Sequence, residues 1–191
     1  MIPSIEKIEL SIMKYRDFSF RQNLIVFRVS DWSNVVNHEC DCLLMSKSGY
    51  LTEIEIKRSY EDFLADFKKK HEHHDNHIKY FYFMIHKSFA EKALNKLVEL
   101  RKIPSLIYIY DNQAKISLYK TEQEIKILIS KKESINPWEL ADLKYYADPW
   151  HARKLFLEEQ YQLARLGAMR YKNMTEKVIK LNNSNLMEIN K

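Results

Sequence analysis

The stretch HECDCLLMSKSGYLTEIEIKRS, residues 38–59, contains two strand-like runs joined by a turn of serine and glycine. Side chains in a β-strand alternate between its two faces. In the second run, Glu53, Glu55 and Lys57 therefore share one face, and the intervening isoleucines pack on the other. The pattern predicts a β-hairpin that turns around Ser48–Gly49 and carries charged residues on one side.

The first run, 39–45, follows the same alternation and places Asp41 on the face expected to carry Glu55. The two carboxylates are then expected to converge, with the lysine of the second run beside them. Cys40 and Cys42 fall together on the opposite face, where we expect buried thiols. The two cysteines are too close in sequence for a disulfide between them to stabilise the fold. This spacing favours a reducing compartment.

The predicted cluster of charges suits a particular chemistry. Two carboxylates and a backbone carbonyl, here that of Ile56, form a hard oxygen site for Mg²⁺ or Mn²⁺. Such a metal lowers the pKa of a bound water and neutralises charge that develops on a phosphodiester. A lysine beside it, here Lys57, orients that water or stabilises the pentacovalent phosphorus.

The pattern of an acid, a hairpin and then Glu-x-Lys on a strand resembles the PD-(D/E)XK nuclease superfamily. This superfamily includes restriction endonucleases and DNA-repair exonucleases. The resemblance covers roughly residues 4–110, within the usual uncertainty of element boundaries. A subgroup of small nuclease-like proteins has similar segments, which are here His38-Glu39-x-Asp41, Gly49, Glu53-x-Glu55-Ile56-Lys57-x-Ser59, Asp62-Phe63 and Asp66-x-Lys68-Lys69. Cys40 stands where the pattern often has proline.

The resemblance implies a role for each matching residue. Asp41 and Glu55 are expected to be metal ligands, and Lys57 the catalytic lysine. Many members add a glutamate from the first helix, for which Glu9 is the candidate and Glu6 the alternative. The implied function is hydrolysis of DNA phosphodiester bonds with Mg²⁺ or Mn²⁺. The expected contacts to the DNA backbone come from Arg58, Lys68, Lys69 and Lys70.

The order of predicted elements supports an α/β fold. Hydrophobic periodicity, turns and helix caps at Ser4 and Ser59 predict the order α-β-β-β-α-β-α-β, followed by helices. We therefore expect a restriction-endonuclease-like αβββαβ core, with a mixed central sheet flanked by helices. Asn136–Pro137 and Asp148–Pro149 each resemble a cap followed by proline, and they predict two C-terminal helices, the second over roughly 149–178. The expected organisation is a nuclease-like domain, 1–130, and a C-terminal helical extension, 131–191.

The composition of the chain disfavours some classes of function and is compatible with others. The chain has 2 Gly among 191 residues and no Walker-type or dinucleotide-binding pattern, which disfavours a glycine-rich phosphate loop. Its formal charge of +5 is compatible with DNA, anionic membranes or acidic proteins. The charged N-terminus does not resemble a signal peptide, and no apolar run is long enough to span a membrane. We therefore expect a cytoplasmic protein. A homodimer is compatible with the nuclease resemblance, because many such nucleases form dimers to cut both DNA strands.

Other functions are compatible with parts of the pattern. A non-enzymatic member of the same fold would bind nucleic acid or a protein partner. The third alternative is a zinc-binding module built on His71, His73, His74 and His77, although an exposed basic loop is favoured over it. Glu53 is expected to be solvent-exposed or to support a ligand, and Asp62 and Asp66 to be exposed helix residues.

Overall fold

A computed structural model describes residues 1–30, 35–68 and 75–189, except for the side chains of residue 174 and of residues 177–189. The helices and strands are α1 Ile5–Lys14, β1 Leu24–Val29, β2 Cys40–Met45, β3 Leu51–Lys57, α2 Tyr60–Asp66, β4 Ile78–His86, α3 Ala90–Leu100, β5 Lys102–Ile103, β6 Leu106–Tyr110, β7 Ile116–Thr121, α4 Glu122–Glu133, β8 Lys144–Tyr145 and α5 Leu157–Ile189. The fold is α/β, as the sequence predicts.

The central sheet has six strands in the order β1-β2-β3-β4-β6-β7. Strand β4 runs parallel to both of its neighbours, β3 and β6, whereas the remaining pairs are antiparallel. The predicted mixed sheet is therefore confirmed. A second sheet pairs the short strands β5 and β8 in parallel. Within the described residues, no helix is long and apolar enough to cross a membrane.

The hairpin of β2 and β3 forms where the sequence predicts it. Leu43 pairs with Glu53 and Cys42 with Ile54 in an antiparallel register. The turn closes through the N–H of Gly49, which donates to the carbonyl of Ser46 at 2.9 Å. Gly49 has φ +83°, a conformation that other residues adopt only with strain. The glycine thus fixes the register that places the charged residues of β3.

Helices cover both faces of the sheet. On one face, Ile8 and Ile12 of α1 pack against Cys42, Ile54 and Ile56. The isoleucines of β3 therefore lie opposite its charged residues, as alternation predicts. The other face is covered by residues of α2, α3, α4 and α5.

Helix α5 packs on the edge strand β1. Leu163 and Leu166 are buried there, and a Cβ added to Gly167 would lie 3.3 Å from the Cγ2 of Val26. The small residue lets the helix approach the strand closely. This contact buries apolar side chains of the edge strand that would otherwise be exposed.

Two predictions for the C-terminal third are wrong. Asn136–Pro137 opens only a three-residue 3₁₀ turn, and the long helix begins at Leu157 rather than near residue 149. Asp148 caps a short turn, after which the N–H of Arg153 donates to the carbonyl of Asn76 at 2.9 Å. The N–H of Leu155 donates to the carbonyl of Gly49 at 2.9 Å. These two hydrogen bonds join the segment to residues far away in the sequence. The helix begins only after them, at Leu157.

Helix α4 was not predicted. It begins with a capping box, in which the hydroxyl of Thr121 accepts from the N–H of Glu124 and the Glu124 carboxylate accepts from the N–H of Thr121. The spacing of these two residues is visible in the sequence, so this signal was available.

Candidate active site and neighbouring histidine cluster

Lys57 lies between two carboxylates at the end of β3. Its Nζ donates to Oε2 of Glu55 and to Oδ1 of Asp66, each at 2.8 Å. The three side chains are 3%, 3% and 0% exposed for Lys57, Glu55 and Asp66. We call these three residues the lysine cluster. Its charges are paired and hydrogen-bonded, as buried charges need to be.

The pKa of Lys57 is raised. Burial by itself lowers it, but the charges of Glu55 and Asp66 and their hydrogen bonds outweigh burial. Lys57 is therefore protonated at neutral pH. Its side chain can act as a fixed cation and hydrogen-bond donor, but it is not suited to remove a proton from water.

Asp66 belongs to this cluster, although the sequence predicts an exposed residue at this position. Ser59 caps α2 as predicted, its hydroxyl accepting from the N–H of Asp62 at 3.1 Å. Asp66 lies three residues after Phe63, on the same inward face of this short helix, and both are buried. The expectation is wrong because a polar side chain occupies a position of the buried face. The i,i+3 spacing from Phe63 was the signal that could have found it.

Asp41 contacts the backbone of the neighbouring strand. Its Oδ2 accepts from the N–H of Ile56 at 2.8 Å, and its side chain is half-buried. Cys42 pairs with Ile54, so the antiparallel register places Asp41 level with Glu55. The Asp41 carboxylate thus lies against the peptide group that follows Glu55. This bond brings Asp41 to the segment of β3 that carries Glu55 and Lys57.

Glu9 of α1 is buried, and its Oε1 accepts from Nε of Arg28 at 3.0 Å. Burial raises the pKa of Glu9, Arg28 opposes that rise, and the nearby charge of Asp41 adds to it. Glu6, the alternative, is exposed and lies 3.5 Å from Arg28. Glu9 is thus the glutamate of α1 that lies within electrostatic range of Asp41.

The predicted oxygen ligands do not form a close group of three. Among the described residues, the carboxylates of Glu9, Asp41 and Glu55 do not all lie within 4.8 Å of one another. Two carboxylates are sufficient for Mg²⁺, which keeps several waters. The structure places Asp41 against the backbone N–H of Ile56 and near Glu9. The convergence of Asp41 and Glu55 on one metal ion therefore stays a prediction.

Arg58 and Lys68 are exposed, as residues that contact a DNA backbone must be. Lys69 and Lys70 lie outside the described residues, as do three members of the histidine stretch, namely His71, His73 and His74. The fourth, His77, binds Asp75 through Nδ1 at 2.5 Å. The contacts of these basic residues to DNA stay a prediction.

A second polar group, which we call the histidine cluster, consists of His38, Cys40 and Glu53. Nε2 of His38 lies 3.0 Å from Oε2 of Glu53, and the two side chains are fully buried. The expectation of a solvent-exposed Glu53 is therefore wrong. Its partner is 15 residues away in the chain, so that strand alternation alone does not reveal the pair.

The two cysteines are buried, as predicted, but they do not share a face. Cys40 packs in the core beneath α2–α5, whereas Cys42 packs beneath α1. The alternation breaks beside Arg28, whose φ of 55° is left-handed and which lies between the partners of Cys40 and Cys42 on β1. The break in alternation places Cys40 beside His38 and Glu53.

Comparisons with known proteins do not assign a family. No protein-family model matches the chain, and no curated protein matches it. Among solved structures, it is similar to SPO1766, a protein of unknown function from Silicibacter pomeroyi, with 12% sequence identity and a TM-score of 0.49. The match covers 93% of this chain and 92% of that one.

Proposed function

We propose that this protein is a metal-dependent nuclease that hydrolyses DNA phosphodiester bonds, with Asp41, Glu55 and Lys57 as its active site. The observation that carries the proposal is the hydrogen bond from the N–H of Ile56 to Asp41. It brings the isolated acid of β2 to the Glu-x-Lys segment of β3. DNA is the proposed partner, Mg²⁺ or Mn²⁺ the proposed cofactor, and a cytoplasmic homodimer stays a prediction.

The order of elements supports the superfamily assignment within this proposal. A helix, three antiparallel strands, a second helix and a strand parallel to the third follow one another from α1 to β4. The αβββαβ core that the sequence resemblance implies has the same order. We therefore propose a restriction-endonuclease-like core for this part of the chain.

The charges around Lys57 support a divalent cation. Glu55 and Asp66 contribute two carboxylates that contact the ammonium of Lys57. Asp41 contributes a third carboxylate, which accepts from the backbone N–H of Ile56 on the same strand as Lys57. Oxygen ligands are those that hard cations such as Mg²⁺ and Mn²⁺ prefer.

Each residue then has a distinct role. Asp41 and Glu55 would hold the metal, which supplies an acidified water and neutralises charge on the phosphate. Lys57 remains protonated, so it would stabilise negative charge on the phosphorane rather than act as the base. Because Lys57 is buried between two carboxylates, it must exchange one of them for a phosphate oxygen when DNA binds.

The same burial favours a second candidate function. In a non-enzymatic protein of this fold, the lysine cluster would be a structural ion-pair network, and exposed basic residues such as Arg58 would bind DNA or a partner. Its ion pairs are complete without a metal or a substrate. This candidate predicts DNA binding without cleavage.

Cleavage of DNA by the purified chain tests the proposal. Circular, linear and single-stranded substrates are incubated with Mg²⁺ or Mn²⁺, and the parent is compared with Asp41→Asn. We expect this variant to cut about 10²–10³-fold more slowly, the usual effect of removing one electrostatic group from an active site. The matched control is Glu39→Gln, an exposed carboxylate two residues away, which should cut like the parent.

Two results would overturn the proposal that this protein is a nuclease. One is equal cleavage by the parent and Asp41→Asn, which would assign the activity to another site or to a contaminant. The other is a parent that binds DNA but leaves every substrate intact with either metal. The second result would support the non-enzymatic candidate.

A further inference from the structure

The histidine cluster has no role in the proposed hydrolysis. One ligand atom each from His38, Cys40 and Glu53 can be chosen so that all three atoms lie within 4.8 Å of one another. All three residues are at most 3% exposed. Glu53 and Glu55 point to the same side of β3, but their partners differ: an imidazole for Glu53 and an ammonium for Glu55.

The distances suit a small tetrahedral ion. Zinc binds histidine nitrogen at about 2.0–2.1 Å and cysteine sulfur at about 2.3 Å, so tetrahedral ligands lie roughly 3.3–3.8 Å apart. The present 3.0 Å between His38 Nε2 and Glu53 Oε2 needs only a small opening to admit the ion. The three ligand atoms already lie within 4.8 Å of one another, so zinc binding needs only small movements of the side chains.

The ligand types suit zinc better than magnesium. A thiolate and an imidazole are the ligands of borderline-soft ions, whereas magnesium prefers oxygen. Nδ1 of His38 lies 2.8 Å from Oδ1 of Asn37, an acceptor that holds the proton on Nδ1. Nε2 then faces Glu53 and Cys40 as the metal-binding nitrogen, the arrangement that metal-bound histidines usually have.

We propose that His38, Cys40 and Glu53 form a zinc site, distinct from the proposed Mg²⁺ site at Asp41 and Glu55. Binding forms bonds from zinc to the sulfur of Cys40, to Nε2 of His38 and to a carboxylate oxygen of Glu53. It releases to solvent the thiol proton of Cys40 and the proton of the hydrogen bond between His38 and Glu53. One position of a tetrahedral ion remains for water. The bound ion fastens the segment before β2 to the middle of β3.

Cobalt titration of the purified, metal-free full chain tests this site. Co²⁺ replaces zinc and shows a thiolate-to-metal charge-transfer band when sulfur is bound. We expect one Co²⁺ per chain with this band, and its displacement by one equivalent of Zn²⁺. In Cys40→Ser the band should vanish and the zinc dissociation constant should rise more than about 100-fold, beyond the 10–100-fold typical of losing an outer partner.

The chain offers a matched control in Cys42→Ser. Cys42 is the other cysteine, equally buried but beneath α1. We expect it to keep the charge-transfer band. A band that persists in Cys40→Ser, or that is absent from the parent, would overturn the zinc site.

If Cys40→Ser fails to fold, a measurement on the parent alone tests whether the sulfur of a cysteine binds zinc. X-ray absorption of the zinc-loaded parent should show one sulfur at about 2.3 Å together with nitrogen and oxygen ligands. A shell of nitrogen and oxygen alone would overturn the site. Asp41→Asn with Glu55→Gln should still bind zinc, so the zinc site and the nuclease can fail independently.

Discussion

Glu53 and Glu55 are both buried on one side of β3, yet their surroundings differ. Glu53 faces His38 and Cys40, whereas Glu55 faces the ammonium of Lys57. Burial is equal, so the chemistry of each cluster is set by its partners. The lysine cluster has a fixed cation and oxygen ligands that suit a hard ion and a phosphate, and the histidine cluster has the nitrogen and sulfur that suit zinc.

The largest expected effect follows removal of the one cation in the lysine cluster. Lys57→Met keeps much of the side-chain volume but removes the ammonium that Glu55 and Asp66 both contact, while both carboxylates stay buried. We expect a loss of about 3–5 kcal/mol in the free energy of unfolding, measured by urea denaturation. Adding Glu55→Gln and Asp66→Asn should recover part of it. An unchanged midpoint would mean that the buried ion pairs do not stabilise the fold.

In the histidine cluster, the corresponding change should cost less. Glu53→Gln in the metal-free protein removes the carboxylate that binds His38 but keeps an amide in its place. The expected loss is about 1.5–3 kcal/mol, the range for a hydrogen bond to a charged group. If this loss equalled that of Lys57→Met in the same denaturation series, the contrast between the two clusters would be wrong.

Stability measurements at alkaline pH should test the contribution of Lys57 separately from that of Glu53. The pKa of Lys57 is raised above its ordinary 10.5, so its contribution to stability is complete below that pH and is lost above it. The loss is up to about 1.4 kcal/mol per pH unit. We expect the unfolding free energies of the parent and Lys57→Met to converge from pH 10.5 to 12.

The tyrosines provide an internal reference for that measurement. Burial raises the pKa of Tyr82 to about 12, and its contribution to stability is likewise lost between the ordinary pKa of 10.0 and the raised one. This loss occurs in both proteins and cancels in their difference. A difference that stays constant up to pH 12 would contradict the assignment to Lys57.

The smallest effect is expected outside both clusters, at Asn37. Asn37→Ala removes the acceptor of His38 Nδ1, which should cost about 0.5–1.5 kcal/mol in the metal-free protein. Zinc affinity should fall about 10–100-fold, because an outer partner orients the ligand. Mg²⁺ binding should be unchanged in calorimetry. An equal loss of both metals would mean that the two sites are not distinct.

Local features of the fold could be predicted from the sequence. The caps Ser4 and Ser59 and the turn at Gly49 follow from side-chain chemistry within a few residues, and all three are present. The hairpin alternation of β3 is similarly local. The start of α5 could not be predicted in this way, because the bonds of Arg153 and Leu155 join parts of the chain far apart in sequence.

The sequence identifies the acids and the lysine of the candidate site, but not the residues that they contact. Asp66 reaches Lys57 because a short helix turns its inner face to the strand, and the composition of that helix resembles an exposed one. His38, in the segment before β2, contacts Glu53 of β3, which lies 15 residues further along the chain. The alternation of β2 breaks between Cys40 and Cys42, beside Arg28, a non-glycine residue whose left-handed φ the sequence does not reveal.

Calorimetry of Mg²⁺ or Mn²⁺ binding, on the parent and on Asp41→Asn with Glu55→Gln, tests the central claim most directly. We predict one binding site in the parent, its loss in the double variant, and its retention in Glu53→Gln as the matched carboxylate control two residues along β3. The absence of binding by the parent, even with DNA present, or equal binding by the double variant would contradict the nuclease site.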